Sequence, residues 1–209
     1  MSIGASVRRL FGPFERQIAE AYRSIYVDLD DFAGQLPAAL PEVRTILEAG
    51  CGEGALTERL HVLFPHAQIT AIDITPRIGR LFKNATAHVE FRQMTIEEIA
   101  SAQPQAFDLV VMCDVLHHVP PDQRLALLAE IRSAIRPGGC FAVKDWGRSA
   151  TPIHWMCYAS DRYLTGDHVE FFTPHELQDL LSDVFGAARV CAGGFIRPWR
   201  NNMSFLVRV

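Results

Sequence analysis

The 209 residues suit one domain with a sizeable core, and 20 Lys and Arg against 24 Asp and Glu leave no basic face for nonspecific nucleic-acid binding. A hydrophobic fraction of 49% excludes long disordered segments, while Cys51, Cys113, Cys140, Cys157 and Cys191 lack the spacing of a disulfide framework or a zinc site and fit a reducing compartment. No signal-peptide core opens the chain and no stretch nears the roughly 20 apolar residues of a spanning helix, so a cytoplasmic monomer or homodimer is expected, with no membrane span and no nucleic-acid partner.

Within residues 1–43, Ile18, Tyr22, Ile25, Tyr26, Leu29, Phe32 and Leu36 recur at three- and four-residue steps, the spacing of one or two amphipathic helices. Such helices either roof a ligand site or cover a sheet edge. From Thr45 onward short apolar runs alternate with helical patterns, the mark of a parallel sheet covered by helices. TILEAG, QITAID, VEFRQ, FDLVVMCD and CFAVKD read as five strands, and the unbroken apolar centre of FDLVVMC places it mid-sheet. Leu56, Leu60, Leu63 and Phe64 make one helical stripe, and Leu125, Leu128, Ile131 and Ile135 another. Thr173, Pro174 and Glu176 open a further helix as cap, first residue and capping-box partner, with Leu177, Leu180, Leu181 and Val184 as its buried stripe. AARVCAG and MSFLVRV follow with too short a loop for a helical crossover, so they should pair antiparallel. The single domain thus reads as a helical cap over residues 1–43, a core over 44–145, an insertion over 146–172 and a terminal helix with a strand pair over 173–209.

Between the first strand and its helix stands Gly50-Cys51-Gly52-Glu53-Gly54-Ala55, a turn bare enough for a ligand to approach backbone N–H groups at a helix N-terminus. Read as G-x-G-x-x-A, with Asp73 about 20 residues on, it also satisfies a dinucleotide fingerprint, so the turn alone does not separate a nicotinamide cofactor from other adenosyl ligands. A purely structural tight turn is the third reading.

Glu48 ahead of the first glycine and Gly54 as a third complete E-x-G-x-G-x-G; AID, FDLVVMCDVLHHV and IRPGG follow in order. On these motifs the chain resembles the class I S-adenosylmethionine-dependent methyltransferases from Arg44 to about Lys144, and its terminal helix and strand pair match that family as well. The resemblance implies an α/β, Rossmann-like three-layer fold whose seven-stranded, mostly parallel sheet has an antiparallel last strand. It implies S-adenosylmethionine as cofactor and S-adenosylhomocysteine as product. Glu48, Gly50, Gly52 and Gly54 would surround the methionine part, Asp73 would hold the ribose hydroxyls and Ile74 would pack against adenine. Where the family often has an acid near the adenine amino group this chain has Thr95, which with Glu98 also reads as a capping box; Met94 is then the packing neighbour. Cys113 and Asp114 close the fourth strand facing the cofactor, and both Cys51 and Cys113 read as buried small residues rather than reactive thiols.

In-line displacement at a sulfonium methyl needs alignment in a dry site and no metal, with a base only where the acceptor arrives protonated. His117, His118, His154 and His168 are the candidates, His117 and His118 foremost, and as consecutive residues at a strand end those two should point to different sides. Acceptor recognition is expected from Tyr22 in the cap, from Trp146, Trp155, Tyr158, Tyr163, Arg148 and Arg162 in the aromatic-rich insertion, and from Arg197, Trp199 and Arg200 between the last strands. The alternative for Asp161 and Arg162 is a solvated helix end. The expected activity is methyl transfer to a small molecule of specialised or lipid metabolism, foremost at oxygen; a nicotinamide-dependent oxidoreductase and a cofactor-binding regulatory protein are the other readings.

Overall fold

A computed structural model describes residues 14–40, 42–83, 86–165 and 169–209; His168 lies outside the described residues. The strands are β1 (Thr45–Ala49), β2 (Gln68–Asp73), β3 (Val89–Gln93), β4 (Phe107–Cys113), β5 (Ile135–Trp146), β6 (Val190–Phe195) and β7 (Asn202–Arg208). They form one sheet in the order β3-β2-β1-β4-β5-β7-β6, with β7 antiparallel to both its neighbours and the β1 to β5 pairings parallel. This is the expected Rossmann-like sheet with its reversed last strand. Chain order runs outward from β1 on one side and from β4 on the other, so a crevice opens beyond the carboxyl ends of these two strands, where ligands bind in open α/β sheets.

The period-two alternation of strand side chains divides the core in two. Ile46, Leu109, Val111, Cys140 and Ala142 face α1 (Glu15–Tyr26), α2 (Leu29–Gly34), α3 (Leu36–Ala39) and α4 (Ala55–Leu63), where Val27, Phe32, Leu56 and Leu60 cover them. Leu47, Ala49, Val110, Met112, Phe141 and Val143 face α5 (Ile96–Ala102), α6 (Pro121–Ala134) and α8 (Pro174–Phe185), covered by Ile99, Leu128, Ile131, Leu177 and Leu181. Between β5 and α8 lies α7 (Pro152–Ala159), which continues as a wider π-helical turn through Ser160–Thr165. Central β4 is buried from Phe107 to Met112, as its unbroken apolar run requires.

Both capping boxes form. Thr95 Oγ1 accepts from Glu98 N while the Glu98 carboxylate accepts from Thr95 N, and Thr173 with Glu176 repeats the arrangement at the start of α8. In the stripes of α4 and α6, three residues behave differently from their spacing. Leu63 and Leu125 are exposed, and Ile135 begins β5 opposite Phe107 instead of ending α6. At the turn of α6 where Leu125 faces outward, the residue that turns inward is Arg124. For Ile135 the reason is that an apolar residue at a helix end and one at a strand start bury alike, so spacing cannot separate them.

Candidate active site at the crevice

Each glycine of the turn after β1 does different work. All three have positive φ, +79° at Gly50, +52° at Gly52 and +92° at Gly54. A Cβ on Gly50 would lie 2.3 Å from Val115 Cγ2, and one on Gly54 would press on Phe82 and Phe91, so these two are bare because protein packs against them. A Cβ on Gly52 would meet nothing within 4 Å: this residue is bare toward open space. Asp73 ends β2 beside it, its Oδ2 accepting from Gly52 N at 2.8 Å and its Oδ1 from Thr75 N at 2.9 Å. Two backbone donors fix the carboxylate and leave lone pairs to accept from hydroxyls. The next residue, Ile74, is 72% exposed.

Glu48, at 2% exposure, is the penultimate residue of β1 beneath the turn, and its Oε2 has no hydrogen-bond partner among the described residues. Burial pushes its carboxyl up to about 7; the Asp73 charge pushes the same way and Thr57 partly offsets them. A second layer of charge braces the turn from outside. Arg77 and Arg80 pair with Glu53 at 3.1 and 3.0 Å, and both reach Glu15 of α1. Burial and neighbouring carboxylates raise the thiols of Cys51 and Cys113, so neither is poised as a thiolate. Thr95 spends its hydroxyl on its own helix, and partly buried Met94 packs on the core beside it. An oriented carboxylate, an exposed aliphatic side chain, an open glycine and a buried acid with one free oxygen among the described residues suit a nucleoside with a cationic amino-acid end, and so fit S-adenosylmethionine.

Beside this cradle a cavity of about 290 Å³ opens under α1. Tyr22 and Tyr26 of α1 and Trp146 of β5 supply its aromatic wall, Tyr26 meeting Trp146 edge-on at 6.0 Å. Burial and neighbouring Tyr22 push the Tyr26 phenol up to about 12, so it stays a neutral donor. The Tyr22 hydroxyl bonds that of Ser160, joining the roof helix to the insertion. Asp114, His117, His118, Lys144 and Asp161 give the polar wall.

Lys144 and Asp145 are adjacent on β5 and almost wholly buried, at 1% and 0% exposure. Strand alternation starts their side chains toward opposite faces, and each is held by a side chain from the end of β4 or the turn after it. Lys144 Nζ donates to both oxygens of Asp114, at 2.6 and 2.7 Å; Asp114 itself sits at φ +54°, beyond the end of β4. Burial disfavours the ammonium, but Asp114 outweighs it and holds Lys144 above its ordinary value. Asp145 Oδ1 lies 2.6 Å from His117 Nδ1, and its oxygens also accept from the backbone N–H of His117 and Trp146. Burial disfavours the imidazolium too, yet the Asp145 charge and hydrogen bond raise His117, while His117 in turn lowers Asp145. Donor atoms of Asp114, His117 and Asp145 lie within 4.8 Å of one another, as metal ligands would, but the Lys144 ammonium stands against both Asp114 oxygens where an ion would bind.

His117 and His118 both reach the cavity, contrary to the expectation that they diverge, with ring centroids 4.1 Å apart. They stand in a 3-10 turn, Leu116–His118, rather than on a strand, so successive side chains are roughly 120° apart instead of opposed. His117 is buried and His118 exposed. His154 is a different histidine: its Nδ1 accepts from Trp146 Nε1 at 3.1 Å and burial lowers its pKa, so it positions the Trp146 indole. Of the acceptor residues expected from sequence, Tyr22 and Trp146 line the cavity. Trp155, Tyr158 and Arg162 stand on the insertion outside its lining, Trp199 donates to Ile25 O, and Arg197 pairs with Asp28 and Asp31. Asp161, far from being a solvated helix end, accepts from the Cys157 thiol at 3.6 Å on the cavity wall. Lys144, Asp145 and Tyr26 were not singled out as site residues; an acid–base pair breaking the apolar run of CFAVKD was the signal available for the first two.

A family model described as a methyltransferase domain matches residues 46–139. Ubiquinone biosynthesis O-methyltransferase of Xanthomonas campestris pv. campestris (strain B100) is 32% identical over 185 residues, 84% of this chain and 74% of that protein. The protein of the same name from Xanthomonas euvesicatoria pv. vesicatoria (strain 85-10) is 30% identical over 166 residues, 75% and 68% of the two chains. Among solved structures, Burkholderia thailandensis 1,6-didemethyltoxoflavin-N1-methyltransferase, with 1,6-didemethyltoxoflavin and S-adenosylhomocysteine bound, matches with TM-score 0.67 and 21% identity, over 98% of this chain and 87% of that one. Human N-acetylserotonin methyltransferase in complex with SAM matches with TM-score 0.68 and 21% identity, over 93% and 55%. At such identities the solved structures show the shared fold, and the sequence relatives carry the assignment. The chain belongs to the class I S-adenosylmethionine-dependent methyltransferases, not to the nicotinamide-dependent oxidoreductases that share its G-x-G-x-x-A spacing.

Proposed function

We propose that the protein methylates a hydroxyl oxygen of a small-molecule acceptor of specialised or lipid metabolism, seated against Tyr26 and Trp146, with His117 taking the hydroxyl proton. The observation that carries this reading is the buried His117–Asp145 pair opening on the cavity at the tip of β4. S-adenosylmethionine, when bound, supplies a sulfonium methyl for in-line displacement and leaves as S-adenosylhomocysteine. Glu48, Gly52, Asp73 and Ile74 hold it, with Gly50 and Gly54 shaping the turn and Met94, Cys113 and Asp114 as neighbours. The names of the sequence relatives support oxygen as the acceptor atom, and the aromatic wall supports a planar acceptor.

Asp145 engages Nδ1 of His117 and so leaves Nε2 to accept the proton. Its buried charge then stabilises the imidazolium that forms. Lys144 neutralises Asp114, so that carboxylate of the cavity wall does not repel an oxygen acquiring negative charge. Because His117 is raised and must be neutral to act, kcat/KM should climb with pH through a midpoint above the ordinary histidine value of about 6.5.

The test is turnover on a panel of hydroxylated aromatics, with His117→Gln beside the parent. The variant should lose about 10²- to 10⁴-fold in kcat and keep its affinity for S-adenosylhomocysteine. Undiminished turnover would remove His117 as the base, and transfer confined to amine acceptors would remove oxygen as the target.

A further inference from the structure

Arg124 is 5% exposed on α6, and among the described residues no carboxylate pairs with it. Its donors go to main-chain carbonyls of two separate segments. Nε donates at 2.8 Å to Val119 O, just past the turn that carries His117, and Nη2 donates at 2.9 Å to Glu170 O, in the segment returning from the insertion. The guanidinium also lies 4.2 Å over the ring of Phe172. From the returning segment, Glu170 N donates to His117 O at 2.9 Å, and Phe171 stacks on the His117 ring at 5.0 Å between centroids. Asp145 thus holds the His117 ring at Nδ1, and the segment that Arg124 ties down holds its carbonyl and one ring face.

A buried cation is costly, and one held by two carbonyls and an aromatic face, with no carboxylate bonded to it among the described residues, is poorly explained as a contributor to stability, since a well-packed apolar residue would fill the space without the desolvation. What an apolar residue cannot do is bridge two carbonyls at fixed separation. We propose that Arg124 is a positioning residue for the methyl-transfer reaction: its guanidinium fork staples the His117 turn to the segment returning from the insertion and so seats the imidazole at the acceptor cavity. The proposal rests on the reading of His117 as the base, and it assigns the return segment, residues 169–172, to the base's support rather than to the acceptor.

Arg124→Lys is the decisive variant because it keeps the charge and loses the planar fork, so one ammonium cannot hold both carbonyls in the same geometry. Loosening the turn lengthens the bond from His117 Nδ1 to Asp145, the contact that raises His117. The other charged or titrating groups near the ring, Asp114 with its Lys144 partner, Asp161 on the cavity wall and His118 beside it, keep their identity in the substitution. In ¹⁵N-histidine-labelled protein the His117 midpoint should fall by about half a pH unit or more in Arg124→Lys, and by less in Arg124→Met, where loss of a cation close enough to act on Asp145 also relieves repulsion of the imidazolium. The limb of the pH profile set by the base should move with it, kcat should drop about tenfold with KM changed far less, and S-adenosylhomocysteine affinity should stay within about twofold. An unmoved midpoint and unchanged kcat in a cooperatively melting Arg124→Lys protein would overturn the proposal. So would loss of cooperative melting in both variants, which would make the guanidinium a requirement of folding. Full turnover by His117→Gln would instead defeat the base assignment, while the His117 titration in the Arg124 variants would still decide whether the staple seats the ring.

Discussion

Glu48 has a carboxyl pushed up to about 7 and an oxygen without a partner among the described residues. A folded-state value above the unfolded one means the fold retains a proton that the unfolded chain releases, so this group subtracts stability as pH rises from the ordinary carboxylate range toward 7. A cationic amino group delivered by the ligand reverses the preference and draws the proton off. Affinity for S-adenosylhomocysteine is therefore expected to tighten between about pH 6 and about pH 8, with proton release visible as a buffer-dependent binding enthalpy, and Glu48→Gln should flatten both. The glycines divide in the same concrete way. Gly52→Val places its side chain in open space but forces a β-branched residue to φ +52°, so it should abolish ligand binding and cost about 1–3 kcal/mol from backbone strain alone, with a melt that is lower yet still cooperative. Gly50→Ala drives a methyl into Val115 and should cost about 1–3 kcal/mol of stability in denaturant titrations. Equal effects of the two substitutions on binding and stability would dissolve the distinction.

Among the helices, the start of α5 separates two readings of Thr95. A residue that caps its own helix loses about 1 kcal/mol on truncation and nothing in ligand affinity, whereas an adenine contact loses affinity. Thr95→Ala should show the first pattern by thermal melting and calorimetry, because both capping-box bonds are present. The stripes of α4 and α6 show what limited the reading of elements. Leu56, Leu60, Leu128 and Ile131 are buried as their spacing demands, because a helix against a sheet needs only one apolar face. Leu63 and Leu125 escape because soluble surfaces tolerate single exposed leucines. Arg124 turns inward for a purpose no periodicity reports.

Across the molecule, strand order and the crevice follow from alternation of apolar runs and helical stripes, and the glycine turn with Asp73 lies where those runs place it. The cofactor side was legible because local chemistry decides it: positive φ, a strand-ending acid, a capping box. The acceptor side was less so, because it depends on meetings between residues far apart in the chain. His117 could be named, but its partner Asp145 comes from a strand 28 positions away, and Tyr26 and Trp146 converge only when α1 packs over β5. Aromatic richness drew attention to Trp155, Tyr158 and Trp199, of which none lines the cavity; large aromatic side chains are conspicuous in sequence whether they line a pocket or merely face solvent.

That contrast among indoles has an optical consequence. The chain has three tryptophans. Trp155 and Trp199 are 60% and 40% exposed, whereas Trp146 is buried with its N–H tethered to His154 and its ring edge against Tyr26 on the cavity wall. A water-soluble quencher should darken the two outer emitters and spare the inner one. The residual blue-shifted fluorescence then serves as a built-in, label-free reporter of whatever molecule enters the cavity.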